Sequence, residues 1–117
     1  MKQRTSPLVR GQLAEQLADV MFALSAPSRV SILSSLLSGP LAVGEIVSMV
    51  NMEQSAVSHQ LRVLREHSLV RVEQDGKRRL YALYDDAVRD LLDAALRHVQ
   101  RRGRVLLGRT VVTTVGD

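Results

Sequence analysis

At 117 residues the chain is sized for one small domain with a modest core, so further burial in an oligomer is expected. A hydrophobic share of 45% with only 3% aromatic residues predicts an aliphatic, mostly helical interior, and a net charge of +4 favours polyanionic partners. Zero cysteines exclude disulfides, thiolate metal sites and thiol redox switching. No apolar run approaches membrane-spanning length and no signal-peptide pattern opens the chain, so a cytoplasmic protein without a membrane partner is expected.

Residues 1–9 are short, polar and read as a frayed terminus. Leu13, Leu17, Val20, Met21 and Leu24 then recur at helical spacing, predicting a first amphipathic helix that reaches Ser25. Pro27 suits the first turn of a second helix, where a missing N–H costs nothing. That helix carries Val30, Ile32, Leu33, Leu36 and Leu37 to a stop at Ser38-Gly39-Pro40. A short third helix fits Val43–Val50, and after Asn51-Met52-Glu53 a fourth fits Gln54–His67. Two helices joined by a three- or four-residue turn form a helix-turn-helix.

The fourth helix separates its residues sharply. Val57, Leu61 and Leu64 fall at i, i+4 and i+7, a stripe that faces a core. Gln54, Ser55, Ser58, His59, Arg62 and Arg65 occupy the remaining face, which is thin, polar and basic. Such a face suits a helix lying in a DNA major groove. Gln pairs bidentately with adenine, and short serines let the backbone come close to the bases. Arg62 and Arg65 are placed to anchor phosphates, which sets register without reading sequence. The plainer reading is an ordinary solvated face with serines and a surface histidine. His67, near the helix end, is read as capping carbonyls or facing solvent.

Beyond the helix the period changes to two. Leu69, Val70 and Val72 lead into Gln74-Asp75-Gly76-Lys77, and Leu80, Tyr81 and Leu83 follow. Asp-Gly between alternating runs is a strong hairpin signal. A hairpin placed there completes a winged helix-turn-helix, with Lys77, Arg78 and Arg79 at the wing tip, within reach of the DNA backbone or a minor groove. A last helix is predicted over about Asp85–Arg102, with Val88, Leu91, Leu92, Ala95, Leu96 and Val99 on one face and Gly103 as its stop. The winged domain is therefore drawn over residues 10–103. The tail, 104–117, has strand composition but no evident partner, and stays open between disorder and packing on a neighbour.

These residues resemble the ArsR/SmtB family of bacterial winged-helix repressors. The resemblance covers about Leu13 to Gln100 and rests on ALSAPSRVSILSSL, QSAVSHQLRVLREHSLV and DGKRRLYALYD. MEQSAVSHQLRVLR is especially similar to actinobacterial nickel/cobalt-sensing members. The resemblance implies five helices and a wing, a homodimer built by the first and last helices, and an inverted-repeat operator in double-stranded DNA. It places Gln54, Ser55, Ser58 and His59 at base edges or adjacent phosphates. Leu13, Leu17 and Val20 of the first helix and Leu92, Leu96 and Val99 of the last are the interface candidates.

The resemblance also implies a metal switch, and its ligands are thin here. One family site uses cysteines near Leu41–Glu45, where this chain has none. The other falls on Asp85, Ala87, His98 and Arg101, which offer two ligands, a methyl group and a permanent cation. Transition metals in such sites need three or more donors. Asp85 and His98 are therefore weak metal candidates, and no cofactor is expected. A sensor without its own site binds DNA constitutively, senses something else, or takes its signal from a second protein, for which the basic region Arg97–Arg109 is a candidate surface. Two other readings stay open: a directly nickel-, cobalt- or zinc-responsive repressor using His98 and Asp85, and a winged-helix module for protein interaction. An enzyme is not expected. There is no Gly-rich phosphate loop, and the side chains of Ser58 and His59 diverge from adjacent helical positions.

Overall fold

The computed structural model describes residues 10–106, with side chains through 103. The elements are α1 (Gly11–Ala23), α2 (Pro27–Ser35), α3 (Val43–Val50), α4 (Gln54–Glu66), β1 (Val70–Asp75), β2 (Arg78–Leu83) and α5 (Asp86–Leu106). They divide into two units, one ending at Tyr84 and one that begins at Asp85. No single helix among the described residues is long and apolar enough to cross a membrane. The frayed terminus expected over 1–9 and most of the tail expected over 104–117 lie outside the described residues.

The core of the first unit is aliphatic. Ile32, Leu33 and Leu36, Ile46 of α3, and Val57 and Leu64 of α4 have no exposed surface, and Leu61 has 1%. The hairpin adds Leu69, Val70, Leu80, Ala82 and Leu83. Burying each Leu or Ile side chain is worth about 1.5–3 kcal/mol, so this three-helix contact outweighs any surface pairing in the unit.

The connections explain the layout. Pro27 occupies the first turn of α2. That helix ends at Ser35, earlier than its apolar period suggests. Leu36 and Leu37 lie in a tightened turn whose N–H groups bond to Leu33 and Ser34 carbonyls three residues back, while the Ser35 hydroxyl donates to the Ile32 carbonyl at 2.6 Å. Leu36 is nonetheless fully buried, so the hydrophobic reading of the segment survives its change of geometry. Asn51 closes α3 in the left-handed region at φ 58°, which its short amide side chain tolerates.

The end of α4 is a Schellman motif. Ser68 stands at φ 55° and donates to the Arg65 carbonyl, and Leu69 N–H reaches back to Leu64 at 2.9 Å. The two buried leucines give this cap its hydrophobic contact. His67 Nδ1 lies 2.9 Å from the Val63 carbonyl, which is the capping one of the two roles expected of it.

β1 and β2 pair antiparallel, with Val70 opposite Leu83 and Asp75 opposite Arg78. The loop is therefore Gly76-Lys77, with Asp75 still in the strand. Only Gly76, at φ 62°, takes a positive angle, so the turn follows the Gly-first two-residue pattern and not the Asn-Gly or Asp-Gly one. A contact unforeseen in the sequence joins the wing to the helices. Leu41, just before α3, forms an antiparallel bridge to Tyr81, with hydrogen bonds of 2.9 and 2.8 Å in the two directions.

In the second unit, Asp85 caps α5 by accepting the Val88 N–H at 3.0 Å through Oδ1. The helix does not stop at Gly103 but continues to Leu106. A helical glycine costs about 1 kcal/mol relative to alanine, which good helix formers on either side can absorb.

Candidate nucleic-acid interface

α4 presents its two sides as its spacing requires. Val57, Leu61 and Leu64 are buried, while Gln54, Ser55, Ser58, His59, Arg62 and Arg65 are all exposed. The six polar residues therefore share an uncovered surface on one rigid element. His59 Nδ1 lies 3.4 Å from Arg62 Nη2, a weak contact between two side chains of the outer face one turn apart. Glu66 follows one turn beyond Arg62, is also exposed, and removes one charge from this surface.

Arg29 fixes α4 from behind. Its Nη1 donates to Gln60 Oε1 at 3.2 Å, while Nε and Nη2 donate to the carbonyls of Ala23 and Phe22. α1 has no basic residue in its last turn. The guanidinium supplied from α2 serves the C-terminal carbonyls and the helix dipole instead. Sequence reading missed Arg29, because its partners are separated from it by turns and by 31 residues.

The wing tip is less uniform than its composition. Lys77 is exposed in the two-residue turn. Arg79 lies over the Tyr81 ring, 5.5 Å from its centroid, as expected for neighbours on one face of a strand. Arg78 does not stand free: its Nη2 is 2.9 Å from Oε1 of Glu45 in α3. The same Glu45 oxygen accepts the Ala42 N–H at 2.8 Å, half of a capping box whose other half is impossible because Ala42 has no side-chain acceptor. Glu45 at the third helical position was a readable signal for the cap, but nothing local pointed to Arg78. In β1, Arg71 pairs with Glu73.

The apolar interface candidates fall into two kinds. Leu13 (58%), Leu17 (46%) and Met21 (46%) form an exposed stripe at i, i+4 and i+8 of α1, with Val20 half-buried beside it. On α5, Leu96 (44%) and Val99 (56%) are exposed, whereas Leu92 is 8% exposed. Phe22, the sole phenylalanine, is 70% exposed at the end of α1.

The metal candidates do not converge. Asp85 and His98 are thirteen residues apart along α5, about 20 Å at helical rise, and Asp85 Oδ1 is engaged as the cap. Among the described residues no three His, Asp or Glu side chains lie close enough to hold a metal ion. The described residues of one protomer thus form no transition-metal site.

Residues 26–72, which run from the start of α2 into β1, match the family described as bacterial regulatory protein, arsR family. The chain is 46% identical over 97 residues to the HTH-type transcriptional regulator NmtR of Mycobacterium tuberculosis, a match that covers 83% of this chain and 81% of that protein. It is 37% identical over 87 residues to a transcriptional repressor SmtB homolog of Synechocystis, over 74% of this chain and 66% of the relative. Its fold is similar to that of the homodimeric winged helix-turn-helix DNA-binding domain of a possible ArsR-family transcriptional regulator from Mycobacterium bovis. There the TM-score is 0.70 at 28% identity, over 86% of this chain and 91% of that one. A polar, basic helix face exposed on a winged helix-turn-helix frame and these matches lead to one conclusion: the chain belongs to the arsR family of bacterial regulatory proteins and is a DNA-binding transcriptional regulator.

Proposed function

We propose that the protein is a repressor that binds an inverted-repeat operator as a homodimer and lacks a metal-sensing site of its own. The observation that carries the DNA reading is the exposure of all six polar residues of α4 while its apolar stripe is buried. In this reading Gln54, Ser55, Ser58 and His59 meet base edges, Arg62 and Arg65 meet phosphates, and Lys77, Arg78 and Arg79 reach the backbone beside the wing. The exposed stripes of α1 and α5 support self-association, as does the homodimeric Mycobacterium bovis relative. Two-fold symmetry then sets the half-sites about 34 Å, one turn of duplex, apart. Repression follows the name of the Synechocystis relative.

The absence of an autonomous metal switch is supported by Ala87 and Arg101 at two of the four expected ligand positions and by the engagement of Asp85 as a helix cap. The protein then binds DNA constitutively, responds to a ligand other than a metal ion, or takes its signal from a second protein.

The test is a fluorescence-anisotropy titration on duplexes selected from a random pool, with and without nickel, cobalt and zinc. Ser58→Ala with His59→Ala is expected to weaken binding by roughly ten- to a hundredfold, the scale of one or two lost base contacts. Unchanged binding in that variant would remove Ser58 and His59 from the base-reading set, and a wild type that binds no duplex would favour a protein-interaction module. Metal-dependent release of DNA that disappears in His98→Ala would restore a direct sensor.

A further inference from the structure

One carboxylate oxygen links the wing to the first helix of the helix-turn-helix. Glu45 Oε1 accepts the Ala42 N–H at 2.8 Å and the Arg78 Nη2 at 2.9 Å. The backbone builds this meeting. The antiparallel bridge between Leu41 and Tyr81 holds the entry to α3, which begins two residues later, beside β2, in which Arg78 lies three residues before Tyr81. Glu45 and Arg78 are thus brought within reach of one another by the path of the backbone. Both side chains remain about half exposed, at 49% and 55%, so a solute can reach the pair.

A carboxylate and a phosphate offer a guanidinium the same chemistry: anionic oxygens that accept charge-assisted hydrogen bonds. We propose that Glu45 acts as an internal substitute for a DNA phosphate and so brakes sequence-independent DNA binding. This rests on the DNA-binding reading and deepens it. In the free protein the carboxylate holds Arg78 and cancels its charge. On a duplex, the phosphate that Arg78 would neutralise must compete with Glu45, and the pair as a unit displaces no counterion. The wing then contributes less electrostatic affinity than its Lys77-Arg78-Arg79 composition implies, and a larger share of stable binding depends on the polar face of α4. An exposed ion pair is weak, so the brake is a modest one, about two- to fivefold in affinity.

Glu45→Gln isolates the effect, because glutamine still accepts the Ala42 N–H as a third-position cap but carries no charge. The probe is a labelled mixed-sequence duplex of about 30 base pairs, long enough for two half-sites one turn apart. Wild type, Glu45→Gln, Arg78→Ala and the double variant are titrated across a salt series, with urea midpoints as the folding control. Glu45→Gln is expected to bind about two- to fivefold tighter at low salt, with the slope of log K against log salt steeper by about one. Arg78→Ala should remove the whole gain, so that the double variant binds no tighter than Arg78→Ala alone. Equal or weaker binding by Glu45→Gln, with its urea midpoint unchanged, overturns the brake while leaving DNA binding intact. Failure of the wild type to bind any duplex overturns the DNA-binding reading and the brake with it.

Discussion

Replacing Arg29 by alanine removes three donors that hold the end of α1 to the back of α4. The contact to the Phe22 carbonyl is long and exposed at 3.3 Å, so its loss costs little. The half-buried bonds to the Ala23 carbonyl and to Gln60 matter more. A hydrogen bond from a charged donor is worth about 1.5–3 kcal/mol when buried and less when water can replace it. Together with the lost packing of the side-chain stem, Arg29→Ala should destabilise the fold by about 2–3 kcal/mol. Gln60→Ala removes only one of the three bonds and should cost about 1 kcal/mol or less. Arg29→Lys keeps a cation for the α1 carbonyls but cannot also span to Gln60, which places it between the two. Urea denaturation followed by circular dichroism measures all three, repeated at several protein concentrations because a dimer makes the midpoint concentration-dependent. A double-mutant cycle between positions 29 and 60 should return a coupling of about 0.5–1 kcal/mol. An Arg29→Ala loss under about 0.5 kcal/mol, or equal losses in Arg29→Ala and Gln60→Ala, would refute the argument that one guanidinium joins the two helices.

Other consequences can be checked independently. Ser68→Gly relieves a left-handed residue in the α4 cap and should stabilise the protein by about 0.5–1 kcal/mol, seen as a higher urea midpoint. Leu64→Ala, at a fully buried site facing no solvent, should cost about 2–5 kcal/mol in the same assay. Leu17→Asp places a charge in the exposed stripe of α1 and should shift sedimentation equilibrium from dimer to monomer while the circular dichroism spectrum stays helical. If the dimer neutralises about six to ten phosphates, its affinity should fall by roughly three to five decades between about 50 and 200 mM salt, so a salt-insensitive complex would contradict the α4 and wing assignments.

Much of the fold was legible because its signals are local. The i, i+4, i+7 spacing of Val57, Leu61 and Leu64 identifies both the buried side of α4 and, by exclusion, its reading face. Pro27, Asn51 and Gly76 each mark a backbone geometry that other residues adopt less readily, and each sits at an element boundary. The errors are also local in origin. The apolar period of α2 runs through Leu36 and Leu37 because burial continues after the helix has tightened into a turn. Gly103 was read as a stop, yet a glycine lowers helix stability without preventing a helix. Asp85 has a second role that analogy did not indicate: its position just before α5 makes it a cap, by the same short-range chemistry that places Asp at helix starts.

By itself the sequence determined which segments are helices, where the hairpin turns, and which face of α4 is polar, since each depends on residues within a few positions of one another. Only the tertiary structure decided what the charged residues do. Arg29 finds Gln60 across 31 residues and Arg78 finds Glu45 across 33, and neither pairing leaves a periodic trace. The Leu41–Tyr81 bridge is a backbone contact, indifferent to side-chain type, so composition could not announce it. Long-range partners are chosen by the path of the chain around its buried core, and for that reason a wing that reads as three equivalent cations resolves into one at the turn, one stacked on tyrosine and one held by a carboxylate.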